Sequence, residues 1–133
     1  MAKTLQELQE IIVQFRDGRG WKKHHKPKNL AISISVEAAE LLEHFQWGGN
    51  SDIAEMSQKS EWKKNVMLEM ADVLIYMFSL ADALDIDLEK AILAKNDINK
   101  TRFPKEEVKN ISLKNYTQRR KAMRKLKKKI DDA

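Results

Sequence analysis

Residues 61–84, EWKKNVMLEMADVLIYMFSLADAL, constrain the fold more than any other part of the chain. No Gly or Pro interrupts them, and at about 100° per residue their apolar side chains cover two sides of a helix. Val66, Met70, Val73, Met77, Leu80 and Leu84 make one stripe; Met67, Ala71, Leu74, Ile75 and Phe78 cover much of another. A helix apolar on most sides is buried on most sides. It belongs in a helical bundle, and so short a chain has few other helices to cover it, which points to oligomerisation. Between the stripes Glu69, Asp72 and Tyr76 share a polar strip. A carboxylate in such a place is costly unless it is paired or bound to a metal; the open alternative is a strip facing solvent.

The rest of the chain supplies the other helices. Residues 4–16 read as a first helix with Thr4 as N-cap, Glu7 at the capping-box position, and Leu5, Leu8, Ile12 and Phe15 as its apolar stripe. DGRGWKKHHKPKN then breaks the pattern. A second helix spans 29–46 and stops at WGGN. Residues 48–60 read as a polar stretch, 61–84 as the third helix, and 87–101 as a shorter fourth. With 4 Gly and 2 Pro in 133 residues the turns of a sheet are hard to supply, and no strand-like alternation or internal repeat persists. The expected fold is all-α, a single helical domain over 1–110 followed by a basic C-terminal tail, 111–133.

Composition excludes several classes. No Cys is present, so disulfides and thiolate zinc sites are out. No apolar run reaches the roughly 20 residues of a membrane helix, and MAKTLQELQEII lacks a signal-peptide core, so a cytoplasmic protein without a membrane span is expected. The net charge of +5 is uneven: residues 114–133 carry nine Lys or Arg against two Asp, leaving the remainder slightly acidic. The basic character belongs to a tail, and nucleic acid is an expected partner only through it.

Helix two repeats the acidic pattern. Ser33, Glu37, Glu40 and His44 fall at i, i+4, i+7 and i+11, one polar stripe with Glu43 at its edge. Antiparallel packing would bring Glu37 and Glu40 opposite Glu69 and Asp72. Four carboxylates in one cleft repel and raise one another's pKa values, and a hard divalent cation removes the conflict. Oxygen-only ligands favour magnesium, manganese or calcium over zinc; magnesium, with manganese as its substitute, also suggests phosphate chemistry. Acids paired with surface lysines stay open as the alternative.

The pieces KPKNLAISISVEAAELLEHFQW, EMADVLIYMFSLADALDIDLEKAI and KNDINKTRFP, in that order over roughly residues 15–104, resemble the all-α nucleoside triphosphate pyrophosphatases of the MazG-like superfamily, in particular its dCTP pyrophosphatase branch. The combination of ExxE, FQW, ExxD with LIY, and K-x-D-I-N-x-x-R-F-P carries the resemblance. It implies a bundle whose active site is completed in a homodimer or homotetramer. It also implies hydrolysis of nucleoside triphosphates to monophosphate and pyrophosphate, a nucleotide-pool house-cleaning activity with dCTP-like substrates favoured. Carried over by position, Glu37, Glu40, Glu69 and Asp72 are metal ligands, and Glu40 or Glu43 orients or deprotonates the attacking water. Tyr76, Lys95 and Asn99 contact substrate, Arg102 adds a phosphate contact, and Trp21 and Trp47 wall the base pocket. His25, in HHKPKN, is placed to touch phosphates, with a solvated loop as the alternative. Val36 stands where many members carry a further acid, and Ile12 where a relative presents a polar residue to the base. The competing reading is a non-catalytic helical protein that binds nucleotide, or nucleic acid through its basic tail.

Overall fold

The computed structural model describes residues 2–105 and, beyond them, Asn115, Thr117, Gln118, Arg120 and Lys121. Most of the predicted basic tail lies outside the described residues. Helices account for all the regular structure described, as the sequence predicted. The chain falls into two compact units, Met1–Glu89 and Lys90–Ala133.

The first unit begins with α1, Leu5–Asp17. Thr4 caps it in extended conformation. The Thr4 hydroxyl oxygen accepts from the Glu7 N–H at 3.2 Å, and the Thr4 N–H donates to Glu7 Oε2 at 2.6 Å, the reciprocal box expected from the sequence. Gly20, at φ 68°, turns the chain into a short 3-10 turn, Trp21–Lys23, where a side chain would be strained. Helix α2, Pro27–Glu43, starts two residues earlier than expected because Pro27 at its first position loses no hydrogen bond there. It also ends earlier, with residues 44–47 continuing only as turns.

The stretch read as polar contains a further helix, α3, Asn50–Met56. The Gly49 N–H donates to Asp52 Oδ2 at 2.9 Å and starts it. A Cβ on Gly48 would sit 3.3 Å from Ile53 Cδ1, so the GG pair serves a close approach as well as a stop. Helix α4, Ser60–Ala83, is the long third helix of the sequence reading. It ends in a Schellman motif: the Ile86 N–H reaches Ala81 O at 2.9 Å, the Asp85 N–H reaches Asp82 O at 3.3 Å, and Asp85 takes the left-handed conformation at φ 53°.

Helix α4 is the centre of this unit, with α1 and α2 both packed against it. Leu30, Phe78 and Ala81 are buried, and Ser79 joins them by donating its hydroxyl to Ile75 O at 2.9 Å. The acidic strips of α2 and α4 face each other, while many apolar side chains lie open: Ile32, Val36 and Leu42 on α2, and Met67, Met70, Leu74 and Met77 on α4, are exposed. Helix α5, Leu88–Arg102, carries most of the described part of the second unit; the Phe103 N–H closes it onto Asn99 O at 2.8 Å just before Pro104.

Candidate metal centre

Ring contacts fix the direction of the α2–α4 pair. Phe45 meets Trp62 edge-on at 5.3 Å, and His44 meets the same indole at 6.5 Å. At the other end His25, just before α2, lies 6.4 Å from Tyr76. Rising numbers on α2 meet falling numbers on α4, so the helices run antiparallel. Between these contacts the two acidic strips come together. One carboxylate oxygen each from Glu37, Glu40 and Glu69 lies within 4.8 Å of the other two. Asp72, one turn along α4 from Glu69, bears electrostatically on Glu37.

The electrostatics of this trio are unfavourable as they stand. Burial, then Glu40, Asp72 and Glu69, push the Glu37 carboxyl above its ordinary range. Among the described residues none of the four acids makes an ion pair with Lys, Arg or His. The alternative of acids neutralised by surface lysines therefore finds no support there. Carboxylate oxygens converging without a cation fit a hard divalent ion. Zinc finds neither thiolate nor imidazole in the trio, since His44 is turned against Trp62.

The other predicted residues lie on several different elements. Tyr76 is half-buried one turn beyond Asp72, beside His25. Glu43 is the exposed last residue of α2 and lies outside the trio. Trp21 is exposed in the 3-10 turn, edge-on to Phe15 at 5.9 Å. Trp47 is 88% exposed after α2, free to meet a flat ligand. Lys95, Asn99 and Arg102 lie in the second unit on one face of α5, at i, i+4 and i+7.

Sequence reasoning missed three side chains near these elements. Trp62 packs against His44 and Phe45 just after α2 and has its Nε1 buried without a partner. Arg16, on α1, is buried and holds Asp82 of α4 through Nη1 at 2.6 Å. An acid at 82 inside an apolar helix was the available signal for this pair; nothing local pointed from it to Arg16.

Comparison with known proteins places this geometry in context. The MazG-like family matches residues 32–118. The chain is 33% identical over 115 residues to dCTP pyrophosphatase 1 of Homo sapiens, covering 86% of this chain and 67% of that protein. It is 32% identical over 101 residues to dCTP pyrophosphatase 1 of Rattus norvegicus, covering 76% of this chain and 59% of that one. The match thus spans little more than half the length of the rat relative. A crystal structure of a pyrophosphatase from Archaeoglobus fulgidus superposes with a TM-score of 0.71 at 43% identity, over 78% of this chain and 95% of that one.

Proposed function

Because the chain belongs to the MazG-like family, we propose that it is a nucleoside triphosphate pyrophosphohydrolase, cleaving between the α- and β-phosphates to release monophosphate and pyrophosphate. Its substrates are deoxynucleoside triphosphates of dCTP-like type, and its role is house-cleaning of the cytoplasmic nucleotide pool. The observation that carries this reading is the convergence of Glu37, Glu40 and Glu69, with Asp72 beside them, facing no cation of the described chain. A solved structure of the same fold and the sequence relatives are pyrophosphatases by name.

Glu37, Glu40, Glu69 and Asp72 hold magnesium, with manganese able to replace it. When bound, such an ion withdraws charge from phosphate oxygens and fixes the direction of water attack. Glu40, or Glu43 one turn on, accepts the proton of the attacking water. No Cys is present and no Ser–His–Asp hydrogen-bonded arrangement occurs among the described residues; direct attack by water needs neither. Tyr76 and His25, side by side at one end of the α2–α4 pair, bind substrate polar atoms. Lys95 and Arg102 neutralise charge on the leaving pyrophosphate, and Asn99 orients it. Trp21 and Trp47 stack the base, a contact worth about 1–3 kcal/mol in single-strand binders. The apolar faces that α2 and α4 leave exposed favour a homodimer or homotetramer.

The test is release of pyrophosphate and monophosphate from a panel of canonical and modified triphosphates, with magnesium and with chelator. Magnesium-dependent release of both products, abolished in Glu40→Gln and Asp72→Asn, supports the reading. Substitutions that leave turnover unchanged, or a panel without any release, overturn it. Removing residues 114–133 should leave turnover intact; loss of function on truncation would favour tail-mediated binding instead.

A further inference from the structure

Arg16 is the one buried charge among the described residues, at 3% exposure. Its guanidinium donates from Nε to Asp17 Oδ1 at 2.7 Å and from Nη1 to Asp82 Oδ2 at 2.6 Å, tying α1 to α4. Its third nitrogen, Nη2, is buried with no acceptor. The Nδ1 of His25 is likewise buried with no partner, so the two groups are not hydrogen-bonded to each other. The two side chains are close enough for the guanidinium's charge to bear on the imidazole.

His25 has three forms to choose among. The imidazolium sets a second positive charge beside a buried guanidinium, with His24 adding to the repulsion and only Asp17 opposing it. A neutral ring protonated at Nδ1 aims a buried donor at no acceptor. A neutral ring protonated at Nε2 leaves only a lone pair at Nδ1, so no donor is buried there, and a lone pair suits the nearby guanidinium charge better than an N–H does. Burial acts in the same direction by disfavouring charge. The groups facing this ring are Arg16 and Asp17 from α1, His24 from its own loop, and Tyr76 from α4.

We propose that Arg16 is a positioning residue for the hydrolytic reaction: it selects the neutral, Nε2-protonated form of His25, so that this imidazole meets substrate beside Tyr76 as an oriented donor and not as a cation. The part concerning substrate rests on the pyrophosphohydrolase reading; the part concerning the tautomer does not. Arg16 touches no substrate in this account and acts through His25.

The experiment combines nitrogen-15 NMR of the histidine rings of the full chain with steady-state kinetics across about pH 5–8. In the unsubstituted chain His25 should be Nε2-protonated at neutral pH and should titrate below 6.5. In Arg16→Met its midpoint should rise, the tautomer preference should fade, and KM should increase roughly threefold to tenfold, the scale of one hydrogen bond. The acid limb of kcat/KM should move to higher pH with the midpoint, and Arg16→Lys should restore part of the shift. An Nδ1-protonated or cationic His25 at neutral pH in the unsubstituted chain overturns the proposal even if the variant does not fold. So does Arg16→Met with tautomer and midpoint unchanged. A chain whose His25 behaves as stated but which turns over no triphosphate overturns the functional reading and the reaction role of Arg16, a result distinct from the first two.

Discussion

Replacing Glu69 with Gln keeps the side chain's shape and removes one of three converging charges. Each of its two neighbours, Glu37 and Glu40, offers an oxygen within 4.8 Å. At that separation two like charges repel by roughly 1 kcal/mol in a water-like medium and roughly 3 kcal/mol at an effective dielectric constant of about 20. Glu40 is exposed and Glu69 half-buried, so solvent draws the total toward the lower end. Without metal, Glu69→Gln should therefore stabilise the fold by about 1–2 kcal/mol, which for a chain of this size raises Tm by roughly 3–10 °C. With magnesium the order should reverse. The unsubstituted chain gains about 2.7 kcal/mol at a hundredfold excess of ion over its Kd, and the variant, short of one ligand charge, loses most of that gain. The assay is calorimetric melting at one fixed protein concentration, in chelator and in a magnesium series. Glu69→Gln melting above the unsubstituted chain in chelator and below it in saturating magnesium is the expected crossing. A variant that melts lower in chelator, or responds equally to magnesium, refutes the reasoning, because Glu69 would then be neutralised by something other than a cation.

Asp82→Asn removes the α4 partner of buried Arg16 and should destabilise the fold by about 2–3 kcal/mol, discounted from the value for a fully buried pair because Asp82 is 32% exposed; an unchanged urea midpoint would argue that the pair is not formed in solution. Burial first, and then Arg16, hold His25 below its ordinary 6.5, so the folded chain resists a proton that the unfolded chain accepts. Its contribution to stability is complete above about pH 6.5 and is lost as pH falls through the folded-state value; His25→Gln should flatten the stability profile just below 6.5, and a profile of unchanged slope would contradict this. Thr4→Ala removes the acceptor for the Glu7 N–H and should lower stability by about 1 kcal/mol, read as a shift in urea midpoint, with no effect on magnesium response.

The elements were legible in the sequence wherever their signal was either long or strictly local. The run from Val66 to Leu84 predicted α4 because sustained apolar periodicity has no competing interpretation, and the Thr4–Glu7 box predicted the start of α1 because its chemistry closes within four residues. Helix α3 escaped because NSDIAEM is too short for a period and its start depends on a backbone N–H of Gly49 that composition does not advertise. The spacing of Glu37, Glu40, Glu69 and Asp72 put two acidic pairs on two helices, and antiparallel packing then sufficed to bring three of them together. What spacing could not say is which apolar side chains the bundle would cover: Ile32, Leu42, Met70 and Leu74 stay exposed, since that depends on which surfaces pack. The Arg16–Asp82 tie was illegible for a different reason: its partners are 66 residues apart, and a buried ion pair leaves no periodic trace.

The most direct test of the account is hydrolysis of dCTP in water labelled with heavy oxygen, with magnesium present and the products resolved by phosphorus NMR and mass spectrometry. Water attack at the α-phosphorus, as proposed for the acidic cluster between α2 and α4, predicts dCMP carrying the label and unlabelled pyrophosphate. Label in the pyrophosphate, or release of dCDP and inorganic phosphate, would contradict it.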